Sequence, residues 1–363
     1  MNTFFLYIAC FFAAFLMIKI LYKNKVAFVG GFHEIRGDGA FLSLVAIFVS
    51  LLPILFIIGN RSYVGTDYKN YLTMYNDYSA WGYKDVEVGI VWLFELTNKL
   101  KLGYKGFLWL CATLSVLFAS IALCRNLDKE YASYAVLLYL FLYFGPACNI
   151  VAQIIALSFL IFAYEEIANK RWFRFLICCS FAMLFHTASI VVVPIYWIYN
   201  LSGKKRKWFI GGLAISVALA FTLFPGVIVS LLNSIGLARY AAYVNHVKIY
   251  TFFYLFVYRA PLFFVEFLYS TRLTKIDKKY NLYYILLGFE IAGMILGIGI
   301  SWMGRIVYFF SIAHVILDVA IIKNAENRLN QTVYKVAFVT YYIIAFYFMH
   351  FISEFDGISV FTM

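Results

Sequence analysis

Ionisable side chains inside apolar runs are the first place to look for chemistry. In FFYLFVYRAPLFFVEF, Arg259 sits near the middle of the run, and Glu266 follows two turns later on one helical face. Glu290 and His314 occupy the middles of the next two runs. Each such group costs about 2.5–3.5 kcal/mol at the centre of a membrane-crossing helix, so each needs a partner or a task. One answer is buried pairing, Arg259 with Glu290 for example, which keeps helices in register. The other is a polar cavity that holds a charged ligand. More polar groups stand at the ends of runs. These are His186 in MLFHTAS, Arg305 with Tyr308 one turn on in SWMGRIVYFF, Arg239 and His246 in the stretch 225–250, and Arg61, Asp67 and Glu87 between 60 and 105. Arginine forks match phosphate oxygens, which makes Arg61, Arg239, Arg259 and Arg305 candidates for a phosphate-bearing ligand. An attacking hydroxyl would need a base, and Asp67, Glu87 and His186 are the candidates.

The elements that must position these residues follow from composition. Hydrophobic residues make up 64% of the 363 residues, charged residues 13%, and mean hydropathy is +0.84. A soluble domain carries about 25% charged residues, so there is too little polar surface here to coat a globule. Apolar runs of roughly 17–25 residues recur along the chain, the length of a bilayer-crossing helix. They are continuous rather than alternating, which excludes a β-barrel. The chain therefore reads as all-α, a single polytopic membrane bundle over 1–363. About twelve spans are predicted: 2–21, 40–59, 106–124, 132–147, 149–167, 172–187, 188–201, 208–224, 251–270, 282–300, 305–322 and 334–352. The first run has no basic residue before it and no small-residue cleavage site, and Lys19, Lys23 and Lys25 lie at or past its end. That predicts a retained first helix with its N-terminus outside. With that start, 20 of the 30 basic residues fall in inner loops, KKRK at 204–207 among them. The net charge of +12 is thus a topology signal rather than a nucleic-acid surface. The six cysteines lie in spans or at span ends without paired C-x-x-C spacing, and they read as packing residues.

Two regions interrupt the span–loop rhythm, 60–105 and 225–250, and both fall outside in this topology. Within the first, EVGIVWLFELTNKLKLG is apolar for only about ten residues, which predicts an interfacial or re-entrant helix near 87–101. The stretch YVGTDYKNYLTMYNDY offers Thr66 or Asp67 as a helix cap. Tyr68, Tyr71, Tyr75 and Tyr78 then form one stripe, expected at the headgroup level. No phosphate loop, nucleophile elbow, zincin pattern or metal cage is present.

In order along the chain, Arg61 with GTDYKNY, Glu87 with Gly89 opening a short helix, NIVAQIIAL at Asn149–Leu157, FHTAS at Phe185–Ser189 and GRIVYFF at Gly304–Phe310 resemble the EpsG family of Wzy-type polysaccharide polymerases. The resemblance covers about 60 to 310. Ala152 stands before Gln153 where the family often has arginine, so another arginine would cover that role. The resemblance implies an enzyme without metal or other cofactor, a glycosyltransferase in the bacterial plasma (inner) membrane with its active side outward. It would join oligosaccharide repeat units carried on undecaprenyl pyrophosphate. Membrane lipid, a chain-length regulator and a flippase are the implied companions, and no nucleic acid is. Tyr71, Gln153 and Tyr308 are then expected to contact substrate, the four arginines pyrophosphate. Two other readings use the same charges: a flippase or transporter of a lipid-linked solute, and another membrane glycosyltransferase using a lipid-phosphate sugar. A transporter predicts inverted repeats and broken helices in matching halves, and the sequence has neither.

Overall fold

The computed structural model describes residues 2–22, 38–82, 86–201, 230, 234, 249–296, 303–354 and 356–362, and all regular structure among them is helical. Arg239, His246, the KKRK run and the expected span 208–224 lie outside the described residues. Seven described helices are long and apolar enough to cross a membrane: Thr3–Leu21, Phe41–Asn60, Gly103–Asn126, Lys129–Asn149, Val151–Ala168, Arg305–Lys323 and Arg328–Ile352. The chain is a multi-pass membrane protein. The expected span 188–201 is realised as a 3-10 turn, Thr187–Val192, and a six-residue helix, Ile195–Asn200, with Pro194 between them.

In chain order the helices are α1 (Asn2–Leu21), α2 (Asp38–Asn60), α3 (Tyr68–Trp81), α4 (Val88–Lys99), α5 (Gly103–Ala112), α6 (Phe118–Asn126), α7 (Lys129–Asn149), α8 (Val151–Ala168), α9 (Trp172–Phe185), α10 (Ile195–Asn200), α11 (Ile249–Ile276), α12 (Tyr280–Leu296), α13 (Met303–Phe310), α14 (Ile312–Lys323) and α15 (Arg328–Tyr347). A π turn over Thr113–Leu117 joins α5 to α6, and a second over Phe348–Ile352 ends α15. They form two compact units, one from 1–165, 173–190 and 319–363, the other from 166–172 and 191–318.

In the first unit α1 packs on α2 and α7, α2 on α5, and α7 on α6 and α15. Aromatic rings fill the seam, with Phe11 centred 5.2 Å from Phe141 and 5.4 Å from Phe346. The opposite faces carry exposed Phe5, Leu16, Ile20, Val333 and Val336, as a lipid-facing surface does. The ends of the spans sort as the loop charges predict. At one end the Tyr22 hydroxyl donates to Cys124 O (2.9 Å), Lys323 pairs with Asp128 (2.5 Å) and Gln331 donates to Tyr131 (2.9 Å). At the other end residues 61–67, Asn149 and the 356–362 tail meet. The α4 helix is 12 residues, about 18 Å long at 1.5 Å per residue, too short to cross. It ends with Asn98 accepting from the Tyr75 hydroxyl (2.8 Å), so its last turn is back on α3, as a re-entrant or interfacial helix requires.

The tyrosine stripe differs from its expected place. Tyr68 and Tyr75 are buried, and Tyr75 packs on Phe94 (5.3 Å) and Tyr104 (5.6 Å). The physical reason is that α4 and α5 lie against this face and offer aromatic partners that headgroups do not.

In the second unit α11 packs on α12, and α12 on α13. On α11, Arg259, Leu262, Phe263 and Glu266 share a buried face at helical spacing, while Val257, Phe264 and Leu268 are exposed. Arg259 and Glu266 are thus turned into protein by the same periodicity that turns Phe264 and Leu268 outward.

Candidate functional site

The first unit builds its site around a tight loop. Gly65 has φ +98, and a Cβ there would stand 2.6 Å from the Cys148 carbonyl oxygen, so only glycine lets the loop press against the end of α7. Asn149, the last residue of α7, is the hub. Its Oδ1 accepts from Thr66 Oγ1 (3.0 Å) and the Asp67 amide (3.2 Å), and its Nδ2 donates to the Asp356 carbonyl (2.7 Å) and Oδ1 (2.8 Å). The tail completes the clasp. Gly65 N donates to Gly357 O (3.0 Å), Thr66 N to Asp356 O (3.2 Å), Ser62 N to Thr362 O (2.8 Å), and the Tyr7 hydroxyl to Ile358 O (3.2 Å). Asn149→Ala is expected to lower the thermal midpoint in detergent, at about 1–3 kcal/mol for each buried partner left unmade. An unshifted melt would show that the clasp does not hold the loop.

Asp67 does not cap α3 through its side chain. Asn149 takes up the Asp67 amide instead, and the half-buried carboxylate accepts one long bond from Asn70 Nδ2 (3.4 Å). Tyr71, one turn on, accepts from the Ala152 amide (3.3 Å), which ties α3 to the first turn of α8, where Gln153 is buried. Burial foremost, then the charges of Glu87 and Asp67, pushes the Tyr71 phenol up, so it remains a hydrogen-bond donor at neutral pH. Glu87, just before α4, lies with Oε1 3.4 Å from His186 Nδ1 at the end of α9. Gly89 permits this approach, since a Cβ there would stand 2.7 Å from the Phe185 ring. Asp67, Tyr71, Glu87 and His186 thus form a group of ionisable side chains in which Glu87 and Asp67 both act on Tyr71.

Arg61 sits beneath the loop, 1% exposed. Its Nη1 donates to Ile58 O (2.7 Å) and Nη2 to Cys148 O (3.3 Å), while Nε makes no hydrogen bond. Among the described residues no carboxylate pairs with it. The guanidinium clamps the ends of α2 and α7 together, close to the loop.

The other described candidate arginines, Arg259 and Arg305, belong to the second unit. Arg259 bonds to Glu290 and to Ser311, and Ser311 Oγ also donates to Glu290 Oε1 (2.8 Å). His314 completes the network, with Nδ1 2.8 Å from Glu266 Oε1 and Nε2 3.2 Å from Glu290 Oε2. Arg259, Glu266, Glu290 and His314 are all buried, and the pairing of Arg259 with Glu290 is present. The Arg259 guanidinium carbon also lies 5.5 Å from the Tyr308 ring centre. Arg305, on the same helix as Tyr308, is exposed. Among the described residues no group of three or more His, Cys, Asp and Glu could hold a metal ion.

Sequence reasoning passed over Asn149 as a site residue, and also Asp356 and His350. Asp356 is 6% exposed and His350 1%, with Nδ1 of His350 3.3 Å from Asp356 Oδ2. The signal available was SEFDGIS beyond the last span, an acidic residue before a glycine where a polar tail needs no carboxylate.

A family model described as EpsG family matches residues 44–362. That match begins inside α2 and runs through the tail that clasps the loop. Neither curated proteins nor solved structures give a match.

Proposed function

The chain belongs to the EpsG family and is a membrane protein of polysaccharide biosynthesis, and from that premise we propose that it is a repeat-unit polymerase. Its substrate would be oligosaccharide carried on undecaprenyl pyrophosphate at the outer face of the bacterial inner membrane. A flippase would deliver the repeats and a chain-length regulator would act beside it. The observation that carries this reading is the grouping of Asp67, Tyr71, Glu87 and His186 near a buried Arg61 with which, among the described residues, no carboxylate pairs.

The chemistry follows. A hydroxyl of the incoming lipid-linked repeat attacks the anomeric carbon at the reducing end of the growing chain. The hydroxyl proton passes to the base, Asp67 in our reading, as the new C–O bond forms. The bond from the anomeric carbon to the pyrophosphate oxygen breaks, and that oxygen leaves with the electron pair. Negative charge therefore grows on the leaving pyrophosphate, where fixed cations lower the barrier. Within the first unit Arg61 acts through its field from beside the loop; Arg305, exposed in the second unit, is a separate candidate for contact with an anion. Glu87 and His186 are the second acid–base pair, and Tyr71 offers its phenol to sugar. This scheme asks for no metal.

Sugar-gel analysis of the surface polysaccharide in a deletion strain tests the reading. A ladder collapsed to one capped repeat is expected. Loss of all repeats would point to a flippase or an earlier transferase and overturn it. In the complemented strain Arg305→Ala is expected to leave single repeats at normal protein level. Long chains from that variant would remove Arg305 from the pyrophosphate clamp.

A further inference from the structure

The tail lies along the loop and meets it with backbone oxygens: Ser62, Gly65 and Thr66 donate their amides to Thr362, Gly357 and Asp356. Bonds of that kind do not depend on which side chains the tail carries. Asp356 adds one that does. Asn149 Nδ2 donates to the Asp356 carbonyl (2.7 Å) and to its Oδ1 (2.8 Å), while Asn149 Oδ1 accepts from the Asp67 amide (3.2 Å) and from Thr66 Oγ1 (3.0 Å). A side-chain amide has a donor end and an acceptor end. Asp356 offers oxygens and the Asp67 backbone offers a hydrogen, so both neighbours select the same orientation of Asn149. The Asp356 carboxyl is held from its other side as well. Its Oδ2 lies 3.3 Å from Nδ1 of His350, and both residues are buried. Gly145 of α7 leaves room for this, since a Cβ there would collide with both. All of these residues belong to the first unit.

We propose that Asp356 is a positioning residue: through Asn149 it fixes the backbone at Asp67, and so the place of the Asp67 carboxylate in the site. The proposal rests on the polymerase reading only for what Asp67 then does there. The Asp67 side chain has little hold of its own. It does not cap α3, and its hydrogen bond from Asn70 Nδ2 is long (3.4 Å). Its position therefore follows its backbone, whose amide Asn149 holds. Thr66 beside it is held twice by the same two residues, its amide on the Asp356 carbonyl and its hydroxyl on Asn149 Oδ1. A reacting group displaced by about 1 Å can cost about 10²-fold in rate, so a hold of this kind bears directly on turnover. Asp356 thus acts on Asp67 from beyond the last span through one intervening amide.

The test reverses the hydrogen bond. Full-length protein in lipid nanodiscs is compared as wild type, Asn149→Asp, Asp356→Asn and the double variant. Asn149→Asp sets an oxygen against the Asp356 oxygens. Asp356→Asn keeps an oxygen for Asn149. In the double variant the amide at position 356 donates to the carboxylate at position 149, whose other oxygen still accepts the Asp67 amide. The first readout needs no substrate: hydrogen exchange of the peptide spanning 62–68, followed by mass spectrometry. Asn149→Asp is expected to exchange about tenfold faster there, the worth of about one hydrogen bond, and the other two variants like wild type. The second readout is polymer formation from a lipid-pyrophosphate-linked repeat. Asn149→Asp is expected to lose about 10²-fold in kcat at unchanged KM, and the double variant to regain most of it. A double variant as fast in exchange and as slow in kcat as Asn149→Asp overturns the proposal. So does Asp356→Asn losing kcat by itself, because charge rather than the hydrogen bond would then be the cause, and so does a loss that falls on KM. Where Asn149→Asp fails to accumulate, the double variant is expected to restore accumulation, and its failure to do so also overturns the proposal. If wild-type protein makes no polymer while exchange follows the expected pattern, the polymerase reading fails and the hold of Asp356 on the loop stands.

Discussion

Asp67→Asn is expected to reduce chain lengthening by about 10²–10⁴-fold, the usual contribution of a positioned general base. The substitution is isosteric. It keeps the Asp67 amide on Asn149 and leaves Asn70 a partner, so the loop has no reason to open. The side chain does not cap α3, so helix stability does not depend on its charge. The measurement is the polysaccharide ladder on a sugar gel beside an immunoblot. Single repeats at normal protein level are the expected pattern. An unchanged ladder would reduce Asp67 to a residue that only shapes the loop.

The second large effect is on stability. Arg259→Ala removes a cation from a buried network and leaves Glu290 without its closest counter-charge. Breaking a buried pair on one side costs about 3–5 kcal/mol. A thermal midpoint in detergent well below wild type, with reduced accumulation in membranes, is expected. Replacing Arg259 by Met and Glu290 by Gln together is expected to recover part of the loss, since no uncompensated carboxylate remains. If Arg259→Ala melts like wild type, the network is not structural. If the double variant melts as low as the single one, lost packing rather than stranded charge is the cause.

Much of this was legible in the sequence because it depends on local rules. The seven long apolar helices follow from run length, and the short α4 from an apolar segment of about ten residues. Arg259 and Glu290 pointed to each other because few other charges lie in those runs. The tyrosine stripe was legible as a stripe but not as a buried one, since periodicity says which residues share a face and not what covers it. Asn149 and Asp356 were opaque for a plainer reason. They lie 207 positions apart, and no spacing rule connects an asparagine at a helix end to an aspartate beyond the last span. Asp67 looked like a cap because caps are local, but its carboxylate accepts from the Asn70 side chain rather than from a first-turn amide.

The clasp between the loop and the tail also has a consequence in time. Ser62 and Thr362 are separated by 300 residues. At about 5–20 residues per second of synthesis, the loop emerges roughly 15–60 s before its partner exists. Helices α1 to α9 can enter the bilayer and pack during that interval, but Gly65, Thr66 and Asn149 have no tail to bind. The loop at Ser62–Asp67 is therefore the last part of the first unit to be set, and a ribosome stalled late in the message leaves an inserted bundle with its clasp unassembled.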